Sequence, residues 1–84
     1  MNIKVLGPGC SSCQRLEQIT RQALREMGEE ATLTKVTNMN DIRAYKIVAT
    51  PGLVINEKVV SAGRIPSASE VVSMIATALS EADA

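Results

Sequence analysis

The chain of 84 residues has no histidine, no tryptophan and no phenylalanine, one tyrosine and two cysteines. Each scarcity excludes something. Structural zinc wants four ligands, usually Cys or His. Two cysteines without a histidine do not close such a site in a monomer unless carboxylates help. With Tyr45 the only aromatic, the core must be built from Ile, Leu, Val, Met and Ala. An excess of either charge is also missing: nine Lys and Arg balance nine Asp and Glu, with no basic run. That removes the usual grounds for expecting nucleic-acid binding or attachment to an anionic membrane. No apolar stretch approaches the roughly 20 residues of a membrane span. Met1 leads almost at once into a strand pattern. No signal peptide is therefore expected, and the expected location is the cytoplasm, where thiols stay reduced. Residues 1–84 are expected to form one domain. A chain this short buries roughly 60% of its unfolded surface, so the core is modest.

What the chain does have is concentrated in Gly7-Pro8-Gly9-Cys10-Ser11-Ser12-Cys13, which holds both cysteines. The extended apolar run Met1 to Leu6 precedes it, and an amphipathic helical pattern, Gln14 to Met27, follows. The reading is a strand, a tight Gly/Pro turn, and a helix with C-x-x-C in its first turn and Cys10 at or near the N-cap. A thiolate there meets free backbone N–H groups and the positive end of the helix dipole. Thiolate is the nucleophile of disulfide exchange, so the placement makes a reactive cysteine. A structural staple fits less well. Loop-closure arithmetic gives roughly 2 kcal/mol for a four-residue loop against about 3 for fifteen, so a staple belongs between distant segments.

Along the chain, Ile3, Val5 and Leu6 read as a short central strand with covered faces. Lys4 interrupts it, and is expected at the strand's open end with its stem packed and its amine in water. Leu16, Ile19, Ala23, Leu24 and Met27 make one buried helical stripe, ended by Gly28. Ala31 to Val36 reads as a half-exposed edge strand. A right-handed crossover through the first helix makes it parallel to the first strand. Asn38 caps a short helix with Met39, Ile42 and Tyr45 inward, the Tyr45 hydroxyl at the surface. Thr50-Pro51 opens the strand Gly52 to Ile55, and Asn56-Glu57 is a two-residue turn into Lys58 to Ser61. Glu57 suits that turn poorly, since Gly is usual there. Residues 62–66 are a loop, and Ser67-Ala68-Ser69-Glu70 is a capping box opening a last helix. Val71, Val72, Ile75, Ala78 and Leu79 form its stripe, and 81–84 read as a frayed tail.

This order, with C-x-x-C opening the first helix and Thr50-Pro51 opening the third strand, resembles a minimal thioredoxin fold. It implies an α/β domain, β-α-β-α-β-β-α, with a four-stranded mixed sheet flanked by three helices. The chain is similar to the small thioredoxin-like, glutaredoxin-sized redox-active disulfide proteins of bacteria and archaea. The resemblance implies a thiol–disulfide oxidoreductase that cycles between a dithiol and a Cys10–Cys13 disulfide. In it, Cys10 is the exposed nucleophile and Cys13 the resolving thiol. Pro51 is a cis-proline beside them, Thr50 offers its backbone to an extended substrate, and Gly63 stands near the substrate. Protein disulfides are the implied substrates, a flavoprotein thioredoxin reductase the implied electron donor, and a monomer without cofactor or metal the implied form.

The sequence also departs from the family. Ser11-Ser12 replaces Gly-Pro, Gly9 stands where thioredoxins carry tryptophan, and Lys4 stands where they carry a buried acid. A carboxylate proton relay is therefore not carried over, and Lys4 is assigned a structural role. Of the glutathione anchors of glutaredoxins only Gly63 remains, so glutathione as donor is left open. Two rival readings exist. Heavy-metal-associated domains of copper and zinc chaperones also begin with a strand, C-x-x-C and a helix, and two thiolates suffice for Cu(I). They usually carry Met two residues before the first cysteine, where this chain has Pro8, and they end on a strand. A non-enzymatic interaction module has no feature of the sequence in its favour.

Overall fold

The computed structural model describes residues 1–82. In chain order the elements are β1 (Asn2–Leu6), α1 (Ser11–Met27), β2 (Thr32–Val36), α2 (Met39–Ala44), β3 (Gly52–Ile55), β4 (Lys58–Ala62) and α3 (Ala68–Ala82). The strands form one sheet in the order β2-β1-β3-β4. β2 lies parallel to β1, while β3 runs antiparallel to both β1 and β4, so the sheet is mixed. β1 is central and β2 is an edge, as their apolar and alternating patterns require.

Side-chain alternation along β1 divides the core in two. Ile3 and Val5 point to the face covered by α1 and α3, where they pack with Leu16, Ala23, Leu53, Ile55, Val71 and Ile75. Leu6 points to the other face and packs with Ile42 and Val54 under α2. Each fully buried Leu or Ile contributes about 1.5–3 kcal/mol, so the larger cluster carries most of the stability. Thr20 is buried within the α1 stripe because its hydroxyl donates to the Leu16 carbonyl at 2.8 Å. Ile19 and Met27, expected fully inside, lie at the margin of the core.

Local signals fix the element ends. Gly28, at φ 64°, closes α1: its N–H bonds Arg25 and the Glu29 N–H bonds Leu24, a Schellman pair. Asn38 accepts from the Asn40 N–H at 2.8 Å and starts α2. Ser67 and Glu70 exchange backbone and side-chain bonds at 3.2 Å in both directions, the capping box that starts α3.

Four expectations are corrected. β4 extends one residue further, through Ala62. Met39 is exposed, because α2 is only six residues long and turns Ile42 alone fully inward. The helix α3 continues through Glu81 and Ala82, where a frayed tail was expected; 83 and 84 lie outside the described residues. Lys4 is not at an open strand end. It sits mid-strand, paired with Thr34 and Val54, and its amine is held by partners.

Candidate active site

Three segments converge at one end of the sheet. β1 ends at Leu6, and the turn 7–9 delivers Cys10 as the N-cap of α1, in extended backbone at φ −70° and ψ 168°. Cys10 is exposed, while Cys13, one turn further on, is buried at 5% exposure. Their Sγ atoms lie 2.7 Å apart as a hydrogen-bonded pair of free thiols.

The two thiols are made unequal. The Cys13 thiol, hydrogen-bonded to Cys10 Sγ, and the backbone N–H groups of Cys13 and Ser12 hold the Cys10 thiol below its ordinary value. No N–H of the first turn closes a capping hydrogen bond onto the Cys10 side chain, so these groups act as dipoles aimed toward it. Burial pushes the Cys13 thiol up, and its bond to Cys10 adds to the rise. The helix start was expected to supply the activation of Cys10; in the structure the Cys13 hydrogen bond is the largest single cause, and the backbone N–H groups of the helix start add to it.

Gly7, which sequence reasoning treated only as part of the turn, is the residue that lets the site close. A Cβ there would overlap Cys13 Sγ and come within 3.9 Å of Thr50 Cβ. Its N–H is fixed to the Val36 carbonyl at 2.9 Å, so the backbone has no freedom to retreat. A glycine three residues before a reactive cysteine, at a strand end, was the available signal for such a close approach. Thr50 thus stands across Gly7 from Cys13. The Thr50–Pro51 peptide bond is cis and Pro51 is buried. Gly63, at φ 78°, donates its N–H to the Pro51 carbonyl at 2.9 Å, and a Cβ on it would lie 3.2 Å from Ala49 Cβ. All five residues singled out from the sequence therefore fall in one region: Cys10 and Cys13 in direct contact, Thr50 beside them, Pro51 and Gly63 joined behind.

Comparison with known proteins settles the family. The family model of the thioredoxin domain matches residues 1–76. A thioredoxin of Methanothermobacter thermautotrophicus is 35% identical over 71 residues, covering 84% of this chain and 92% of that one. A thioredoxin of Methanocaldococcus jannaschii is 35% identical over 69 residues, covering 82% of this chain and 79% of its own. The chain belongs to the thioredoxin family. Thioredoxin 1 of Thermosipho africanus aligns with it over 100% of both chains, with a TM-score of 0.60 and 22% identity, a likeness of fold. Family and fold together make this thioredoxin-like protein a thiol–disulfide oxidoreductase.

Where the resemblance places a buried acid, this thioredoxin relative carries a charged cluster instead. Lys4 Nζ lies 2.6 Å from the Glu57 carboxylate and donates to the Tyr45 hydroxyl at 2.7 Å. That hydroxyl in turn donates toward Glu57 at 3.2 Å. The bonds to Glu57 and then Tyr45 push the Lys4 amine up to about 12, and the Lys4 bond holds Glu57 below the usual carboxylate range. Lys4 was expected to end in water, and the Tyr45 hydroxyl to lie at the surface. The Tyr45 hydroxyl does bond at the surface, and the Lys4 amine is paired there, because the topology brings the hairpin turn and the end of α2 onto the same face of β1.

Proposed function

We propose that the protein reduces protein disulfides, with Cys10 attacking and Cys13 resolving. The observation that carries this reading is the asymmetry of the pair: an exposed sulfur with a lowered thiol value, 2.7 Å from a buried one with a raised value. The Cys10 thiolate attacks one sulfur of the target disulfide. The target S–S bond breaks, a Cys10–target bond forms, and the departing target thiolate takes up a proton. Cys13 then loses its proton and attacks Cys10 Sγ. The second target thiolate leaves, and the Cys10–Cys13 bridge closes. Two electrons have passed from the dithiol to the target. A flavoprotein thioredoxin reductase would return them, and glutathione is the donor to test against it. An extended target segment would pair with the Thr50 backbone beside Pro51 and Gly63, a short strand addition. The protein would act as a monomer in the cytoplasm, where thiols remain reduced.

Removing only the resolving thiol tests the cycle. Cys13→Ser keeps a hydrogen-bond donor beside Cys10, so attack should proceed and stop at the mixed disulfide. The variant should collect target adducts from a cell extract that dithiothreitol releases, and Cys10→Ser should collect few. A Cu(I) or zinc carrier would lose metal in either variant and accumulate no adducts. Absence of adducts beyond the Cys10→Ser control, with tight Cu(I) binding by the wild type, would replace the oxidoreductase reading with the carrier one.

A further inference from the structure

The zero net charge of the chain conceals an uneven distribution. Two grooves adjoin the thiol site. One is lined by Ser11, Ser12, Gln14, Arg15, Gln18 and Ile65, and so begins between the two cysteines. The other runs past Met39, Arg43 and Val48 to Thr50. Arg15 is the only charged residue lining the first, and Arg43 the only one lining the second. Neither enters an ion pair among the described residues; Arg43 reaches only the neutral Asn40 amide at 3.4 Å. Three other grooves among the described residues each mix charges of both signs.

All but one of the carboxylates that could offset these two cations are occupied or remote. Glu17 is paired with Arg21 and Lys35, and Glu70 with Arg64. Asp41 is the exception: it lies two residues from Arg43 on α2 and enters no ion pair among the described residues, but it lines the groove of Lys4 and Tyr45 and not that of Arg43. Glu26, Glu29 and Glu30 lie at the far end of the 17-residue α1. That helix is about 25 Å long, against a screening length of about 8 Å at physiological salt. At the sulfur end, then, the charged side chains that line the two grooves are both cations, with exposed Met39 and Val48 beside Arg43 as apolar footing.

We propose that this protein selects disulfides flanked by acidic residues, Arg15 and Arg43 receiving the carboxylates from the two grooves. The proposal rests on the reading that Cys10 attacks protein disulfides. Charge complementarity of this kind acts on encounter and register more than on intrinsic reactivity.

The test uses the whole chain, reduced beforehand, in single turnovers against three disulfide peptides that differ only in flanking Glu, Gln or Lys. Each second-order rate is divided by the rate of the same peptide with dithiothreitol, which removes differences in the leaving thiol. The Glu peptide should be reduced roughly five-fold or more faster than the Lys peptide at about 0.01 M salt, where screening reaches about 30 Å. The ratio should approach one at about 1 M salt, where it falls to about 3 Å. Arg15→Glu with Arg43→Glu, both at exposed positions, should reverse the order of the peptides. A ratio near one at low salt in the wild type, or an order that the double reversal leaves intact, would overturn the proposal. Failure of even the Gln peptide to be reduced would instead strike the oxidoreductase mechanism on which it rests.

Discussion

The missing side chain at Gly7 is what allows Cys13 to lie against the end of β1. Because a Cβ there would overlap Cys13 Sγ, Gly7→Ala must move the buried sulfur or the turn that carries Cys10. Overpacking of this kind costs about 1–3 kcal/mol. The expected outcome is a lower melting temperature together with slower resolution of mixed disulfides, measured by thermal unfolding and by the lifetime of a Cys10 adduct with a small thiol. An unchanged adduct lifetime would mean that the site absorbs a methyl group and that Gly7 serves only the turn. The second prediction at this scale concerns the source of Cys10 reactivity. The hydrogen bond from Cys13 is the largest single cause of the lowered Cys10 value, ahead of any one N–H group. Alkylation of Cys10 at neutral pH should therefore fall from wild type to Cys13→Ser, which keeps a donor, and further in Cys13→Ala, which keeps none. Equal rates in the last two would return the activation to the helix start alone. The position of both thiols was legible in the sequence because Gly/Pro turn, C-x-x-C and helix are adjacent. The partition between their effects was not, since it depends on how deeply one sulfur is buried.

Among the elements, the β3–β4 hairpin breaks a local rule. Asn56 and Glu57 both adopt positive φ, 50° and 67°, the conformation of a type I′ turn in which Gly is usual at the second place. Glu57 accepts that conformation because its carboxylate meets Lys4 and Tyr45. Glu57→Gly should ease the turn and leave the Lys4 amine without its partner. The sign of the pH dependence follows from Glu57. Its folded value is depressed, so its contribution is present above the ordinary glutamate value and is lost as pH falls through the folded one. The variant should be less stable than wild type at neutral pH, and the gap should shrink in acid and then reverse, as the eased turn becomes the remaining difference. Chemical denaturation at a series of pH values measures this; a gap independent of pH would show that the carboxylate contributes nothing. The turn itself, the Asn38 cap and the capping box of α3 could all be read from neighbouring residues. The Lys4–Tyr45–Glu57 cluster could not, because three separate elements supply it and none carries a local mark of the others.

Across the whole molecule, the sheet is covered unequally. α1 and α3 bury one face with a large aliphatic cluster, while on the other face α2 adds only Ile42 to Leu6 and Val54. Opening free energy follows buried apolar contact. Backbone amides of α2 and of the following segment to Ala49 should therefore exchange with solvent at lower opening free energies than those of β1, β3 and α1. Hydrogen exchange resolved by residue measures this. Uniform protection would mean that the two faces open together, and that the polar cluster at Tyr45 compensates for the thin packing. The strand order and the buried stripes followed from periodicity. The thinness of the α2 side was less legible, because a six-residue helix gives too few turns for its pattern to separate Met39 from Ile42.

Tyr45 has one more consequence, an optical one. It is the sole aromatic of the chain, so all near-ultraviolet fluorescence comes from a phenol that shares its proton with a carboxylate. Such a partner dims tyrosine emission by taking the proton in the excited state. Brightness then reports the contact between the hairpin turn and the end of α2, and rises in acid as Glu57 is protonated. Its hydroxyl partners are Lys4 and Glu57 and neither sulfur, so the light of this protein follows its charged cluster, while the redox state of its thiols has to be counted chemically.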